Sequence, residues 1–265
     1  MQRLPNPLRP VSERLFHDEA LSAPDRRPMA ETLGDHARRL AGPHGRLVGP
    51  FVCPASRLAE LDACVASGLP RPPAVAVVGH DAPRVWRGVY ATPGLVHVEA
   101  PLAAAVPPAP GRVVRYAEIG PHAALDPALD AVAAAGARVK VRASGPATDG
   151  PPRLDWLAAV LGGCRARHLA VKVAGGPAHA YTGEAPPAPG GRAGGAQPGI
   201  VNLLAAAGAA RDRAPAATVA GLLRAGPAEA GTLHARVGGA REVLAAIGTT
   251  APDAALATLG AHDLL

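Results

Sequence analysis

From residue 46 onward, short valine-rich runs alternate with longer alanine- and leucine-rich stretches. The runs are Arg46–Cys53 (RLVGPFVC), Ala74–Gly79 (AVAVVG), Leu95–Glu99 (LVHVE), Arg112–Glu118 (RVVRYAE), Arg138–Arg142 (RVKVR) and Leu169–Val173 (LAVKV). Each is short enough for a strand, and most are followed by a stretch with helical spacing. Helices are predicted over Ser56–Ser67, with Ser56 as N-cap and Gly68 as stop, and over Asp126–Ala135, stopped by Gly136. Further helices are predicted at Leu154–Cys164, Ile200–Arg211, Ala216–Arg224 and Pro252–Leu259, with weaker strand candidates at Thr232–Val237 and Val243–Ile247.

Strands alternating with helices imply βα units on a parallel sheet, and the length of 265 residues suits one α/β domain closed as a TIM-type (β/α) barrel. Six strands are clear and two are ambiguous between strand and helix, so an incomplete or seven-stranded barrel stays open at this point. Residues 1–45, rich in proline, arginine and acids, read as an N-terminal cap carrying one amphipathic helix around 29–41, with the barrel domain at 46–265. The Pro/Gly-rich segment 183–199 does not hold regular structure and reads as a mobile loop.

Composition adds limits. Aromatics make up only 3% of the chain, so the core must be aliphatic. The formal charge of +6 raises the question of nucleic acid, but the arginines are interleaved with acids and lack aromatic neighbours for base stacking, which argues against it. Three cysteines at wide spacing, Cys53, Cys64 and Cys164, suggest neither a disulfide framework nor a zinc site; Cys53 reads as a small buried hydrophobe. With no apolar leader and no run of membrane-spanning length, a cytoplasmic protein without a membrane partner is expected, and a homo-oligomer is allowed.

In parallel α/β barrels chemistry gathers at the carboxyl ends of the strands. Here successive strands end with or carry ionisable residues: Glu99, Glu118, Lys140 with Arg142, and Lys172. Lys140 and Lys172 are the only lysines among 27 basic residues, and both lie inside apolar strands. A lysine can lose its proton when buried and attack a carbonyl, which arginine cannot do; a paired structural cation is the plainer reading. Lys140 and Arg142 share one strand face. Arg142 is a candidate for an anionic group or for a salt bridge to Glu118. Glu99 and Glu118 are candidates for proton transfer or counter-ions. His80, His179 and the backbone of Gly175 and Gly176 are candidates for substrate binding. A metal at His80, Asp81, Glu99 and Glu118 lacks the usual ligand spacing, so neither a metal nor another cofactor is expected.

The segments KVRASG and KVAGG resemble, in order and spacing, the two lysine motifs of the deoxyribose-phosphate aldolase family of class I aldolase barrels. The resemblance covers about the middle half of the chain, reaching back to FVCPASRLAEL at 51–61. It differs at Val141 and Ala143, where the family has threonine, and at Glu99, where it has aspartate. It implies that Lys140 forms the Schiff base, Lys172 lowers its pKa and Glu99 takes the place of the strand-end aspartate. Over more of its length the chain resembles an uncharacterised bacterial family with K-V-R-T-G-G, F-K-A-T-A-G-L-H-H and G-F-L-N-L-L motifs, matched by KVRASG, VKVAGGPAHA and GIVNLL. That similarity adds Asn202 to the site candidates beside His179.

The expected function is a class I, Schiff-base aldolase-like lyase acting on a small anionic carbonyl metabolite, with loop 183–199 as a lid. The alternatives are a barrel that binds an anionic metabolite without chemistry or has lost its activity, and a partner-binding protein using the N-terminal segment and the proline-rich loop.

Overall fold

The computed structural model describes residues 8–22, 27–79, 88–104, 110–121, 123–143, 154–183 and 197–265. Eight parallel strands close into one barrel in chain order. They are β1 (Phe16–Asp18), β2 (Val48–Pro54), β3 (Val75–Val78), β4 (Leu95–Pro101), β5 (Val114–Glu118), β6 (Arg138–Arg142), β7 (Val171–Ala174) and β8 (Leu244–Thr249). Pairing of β8 with β1 completes the ring. The helices among the described residues are α1 (Met29–Ala41), α2 (Leu58–Ala66), α3 (Leu125–Ala134), α4 (Leu154–Ala166), α5 (Ile200–Arg211), α6 (Ala216–Arg224), α7 (Ala230–His234) and α8 (Pro252–Ala261). No helix among them is long and apolar enough to cross a membrane.

Alternation along the strands sorts side chains between the lumen and the helical layer. Val139, Val141, Val171, Val173 and Ile247 are fully buried in the aliphatic cluster that includes α4, α5 and α6, while Phe51, Val75, Val77 and Val98 join Met29, Leu33 and Leu61 under α1 and α2. Their neighbours in sequence must therefore face inward. Helix α5 is buried over every residue from Ile200 to Ala210, which explains its lack of a polar face. It packs against α4, α6 and β8.

Two expectations need correction. The segment assigned to a cap supplies the first βα unit instead: Phe16–Asp18 is β1, and the predicted helix around 29–41 is α1. Three strand residues amid polar sequence leave too little alternation to read. Buried Asp18 takes His36 Nδ1 at 2.8 Å and Arg39 at 2.7 Å, which docks α1 on the strand. The second correction is Thr232–Val237, whose first part forms the short helix α7. Over 232–237 only Leu233 and Val237 are buried, so the alternation that a strand requires is absent. The eight strands therefore consist of the six clear ones, the weak candidate at 243–247, and β1.

At finer scale, Arg57 rather than Ser56 precedes α2, with no side-chain cap, while Gly68 does end that region at φ +101°. His80 and residues 184–196 of the proline-rich loop lie outside the described residues.

The tight seat of α5 gives a test. A Cβ at Gly208 would overlap the carbonyl oxygen of Arg236, whereas one at Gly162 on α4 meets nothing within 4 Å. Gly208→Ala is expected to lower stability by about 2 kcal/mol or more, and Gly162→Ala to be neutral or to raise it by up to about 1 kcal/mol. Urea unfolding midpoints check both, and equal effects would contradict the packing described.

Candidate functional site

Strand register brings the two lysines side by side. Lys140 on β6 is the pairing partner of Lys172 on β7, and Glu118 on β5 is the partner of Lys140. Glu99 reaches them from β4. Its Oε1 lies 2.6 Å from Lys172 Nζ and its Oε2 lies 2.9 Å from Lys140 Nζ, the second being an ion pair outside hydrogen-bond geometry. Strands β5 and β6 stand between β4 and β7, so the Glu99–Lys172 contact crosses the lumen. Glu99 and Lys172 are 0% exposed and Lys140 is 2% exposed.

The charges continue on both sides. Lys140 also meets Glu118 at 3.0 Å, and Glu118 accepts from Arg142 at 2.6 and 3.4 Å. On the other side Lys172 meets Glu19 at 2.8 Å, just beyond β1. Three cations thus balance three carboxylates, with Glu118 and Arg142 the more exposed members at 17% and 25%. Complete pairing is what burial demands of such groups.

Burial alone would raise the pKa of Glu99, but the ammonium groups of Lys172 and Lys140 outweigh it and hold the carboxyl well below the usual range. The same contest at Glu118 is won by Lys140 and Arg142, and its pKa is also lowered. At Lys172 burial favours the neutral amine, yet Glu19 and Glu99 prevail and its pKa is raised.

Below this layer lie His17 from β1 and His97 from β4, stacked with centroids 5.0 Å apart, each edge-on to Tyr116. Burial, with Lys172 and His97 adding to it, holds His17 well below the ordinary imidazole value. Burial, opposed by Glu99 and reinforced by Lys172, brings His97 to about 4. Both rings are therefore neutral near pH 7. Missing side chains make room for these groups: a Cβ at Gly248 would collide with the Glu19 carboxylate, and one at Gly49 would crowd the His17 ring.

The structure thus unites Glu99, Glu118, Lys140, Arg142 and Lys172. Gly175, at φ +58°, donates its N–H to Glu19 Oε2 at 3.0 Å, and the Gly176 N–H goes to the Gly248 carbonyl, so these amides serve the scaffold. His179 lies at the edge, contacting the Gln197 carbonyl at 3.2 Å, while Gln197 donates to the Gly175 carbonyl. Asn202 is not brought to the cluster: it accepts from the Thr182 N–H and donates to the carbonyls of Leu222 and Ala225, bracing α5 and α6. Among the described residues no group of three or more His, Cys, Asp or Glu is placed to hold a metal ion.

Sequence reasoning missed Glu19, His17, His97 and Tyr116. Charge balance held a signal for Glu19, since three inward cations call for a third carboxylate beside Glu99 and Glu118.

Fold and site define an eight-stranded α/β barrel with a lysine pair on a shared carboxylate in the carboxyl half of its lumen. No family model, curated protein or solved structure matches the chain.

The depressed carboxylates contribute stability that is present above their unfolded value of about 4.3 and lost as pH falls through the folded ones. Raised Lys172 contributes stability that is present below its unfolded value of about 10.4 and lost as pH rises beyond it. For the ion pairs alone a plateau between about pH 5 and 10 follows, and the neutral rings of His17 and His97 add a loss of stability that begins as pH falls below their unfolded value of about 6.5. Glu99→Gln is expected to cost about 3 kcal/mol at neutral pH and to flatten the acid limb. Urea midpoints from about pH 3 to 8 measure this, and an unchanged acid slope would refute the role given to Glu99.

Proposed function

We propose that the chain is a class I aldolase-like lyase acting on a small anionic carbonyl compound. The observation carrying this reading is the convergence of Lys140 and Lys172 on one buried glutamate. Lys172, fully buried and paired only with the buried carboxylates of Glu19 and Glu99, suits a cation that stays charged and neutralises Glu99. Lys140 faces the more exposed Glu118 and Arg142 and suits the nucleophile.

In the proposed sequence Glu118 takes a proton from the Lys140 ammonium, and the freed amine adds to the substrate carbonyl carbon, forming a C–N bond as the carbonyl oxygen gains a proton. Loss of water then gives a protonated Schiff base. That cation accepts the electron pair of the Cα–Cβ bond as the β-hydroxyl gives up its proton to Glu118 and the first product leaves as a carbonyl compound. The enamine left behind takes a proton at Cα, and water then hydrolyses the iminium, releasing the second carbonyl product and the amine. Arg142 meets the anionic end of the substrate by releasing Glu118, which frees that carboxylate for proton transfer.

A second reading, a barrel that binds an anionic metabolite without chemistry, is favoured by the complete pairing of the cluster. Borohydride reduction with small aldehydes separates the two. The lyase reading expects a covalent adduct on Lys140 by peptide mass spectrometry, and none in Lys140→Arg. A folded wild-type protein that gives no adduct counts against chemistry, and Lys140→Arg retaining affinity for an anionic carbonyl compound supports simple binding.

A further inference from the structure

The opposite end of the barrel carries a different electrostatic pattern. Arg14 precedes β1, Arg46 precedes β2, Arg138 opens β6 and Arg241 precedes β8. A cleft of about 370 Å³ opens there, lined by Pro10, Val11, Glu13, Arg14 and Arg241. Its volume lies within the span of small-molecule sites, roughly 300–1,000 Å³.

Arg241 is the anomaly. Its Nη2 makes only a long contact of 3.4 Å to the Glu13 carbonyl, and its Nη1 is buried with no hydrogen-bond partner among the described residues. A buried donor left unpaired costs about 1–3 kcal/mol, and more when charged. Burial also disfavours its charged form, an effect that Tyr116 opposes and Arg138 adds to. Neighbouring arginines have acceptors: Arg46 donates to Ser12 Oγ at 3.0 Å and Arg138 reaches Tyr116 Oη at 3.5 Å. The amino end of such barrels ordinarily serves stability, and a guanidinium with one nitrogen unpaired and another on a long contact serves it poorly.

We propose that this cleft binds a small oxyanion, a phosphate or carboxylate group, between Arg241 and Arg14, at the end of the barrel away from the lysine pair. A planar guanidinium fork supplies the donors such a group needs. Pro10 and Val11 form an apolar wall for the remainder of the ligand. Glu13, exposed at the rim, opposes the incoming charge and limits affinity.

The test uses the full chain, titrated with inorganic phosphate and with acetate at constant ionic strength and followed by calorimetry and thermal shift. Saturable binding is expected, with affinity falling at least tenfold in Arg241→Met and severalfold in Arg14→Ser, and rising in Glu13→Gln. Tighter phosphate binding points to a phosphorylated ligand, and equal or tighter acetate binding to a carboxylate. Should Arg241→Met not fold, the two exposed variants decide. Lys140→Met is expected to leave binding unchanged, so failure of the Schiff-base reading and failure of this one are distinguishable. Absence of saturable binding, wild-type affinity in the folded arginine variants, or loss of binding in folded Lys140→Met would each overturn the proposal.

Discussion

A carboxylate cut off from water must be neutralised by cations at contact distance, and at Glu99 that constraint governs the barrel. Its two oxygens hold ammonium groups from two adjacent strands, one of them reached across the lumen. The pairing works only if β6 and β7 keep Lys140 level with Lys172. A slip of one residue in β6 would turn Lys140 into the helical layer and Val139 or Val141 into the charges, exposing Glu99 to half its present compensation. The polar lumen therefore enforces register from within, while the aliphatic layer of Val171, Val173 and Ile247 enforces it from outside.

Glu19 extends the same logic to the seam where the barrel closes. It sits just past β1, its N–H donates to the Thr249 carbonyl, and its carboxylate joins Lys172 on β7 to the Gly175 amide. With no side chain at Gly248 the carboxylate passes over β8. A three-residue first strand is thus anchored by charge as well as by its ladder, and Asp18, facing outward, ties the same strand to α1 through His36 and Arg39.

The legibility of the sequence follows these forces. Strands β2 to β7 announced themselves because their valines recur on the side that packs under the helices, and because most of them are followed by helical stretches. β1 did not, since Phe16–Asp18 is one apolar residue followed by two polar ones, and its reasons for being a strand lie in residues far along the chain. The lysine pair was readable from rarity and spacing, and so was its company of Glu99, Glu118 and Arg142. The roles of Asn202, Gly175 and Gly176 were not, because whether a polar group is free for a ligand depends on partners such as Thr182, Leu222 and Glu19 that only the fold supplies.

Neutrality of the cluster bears on any chemistry assigned to it. With three cations facing three carboxylates, the site has no surplus charge to offer an incoming anion, so such a group gains purchase on Arg142 only by exchange with Glu118. On the proposed reading that exchange joins binding to activation. The carboxylate displaced by the substrate is the one already 3.0 Å from Lys140, and once released from Arg142 it becomes a better proton acceptor at the moment the carbonyl arrives. Glu99 cannot play this part, because Lys172 is buried with it and has nowhere else to go. On the same proposed reading, the division between a fixed inner pair and an exchangeable outer pair makes Lys140, rather than Lys172, the amine suited to attack.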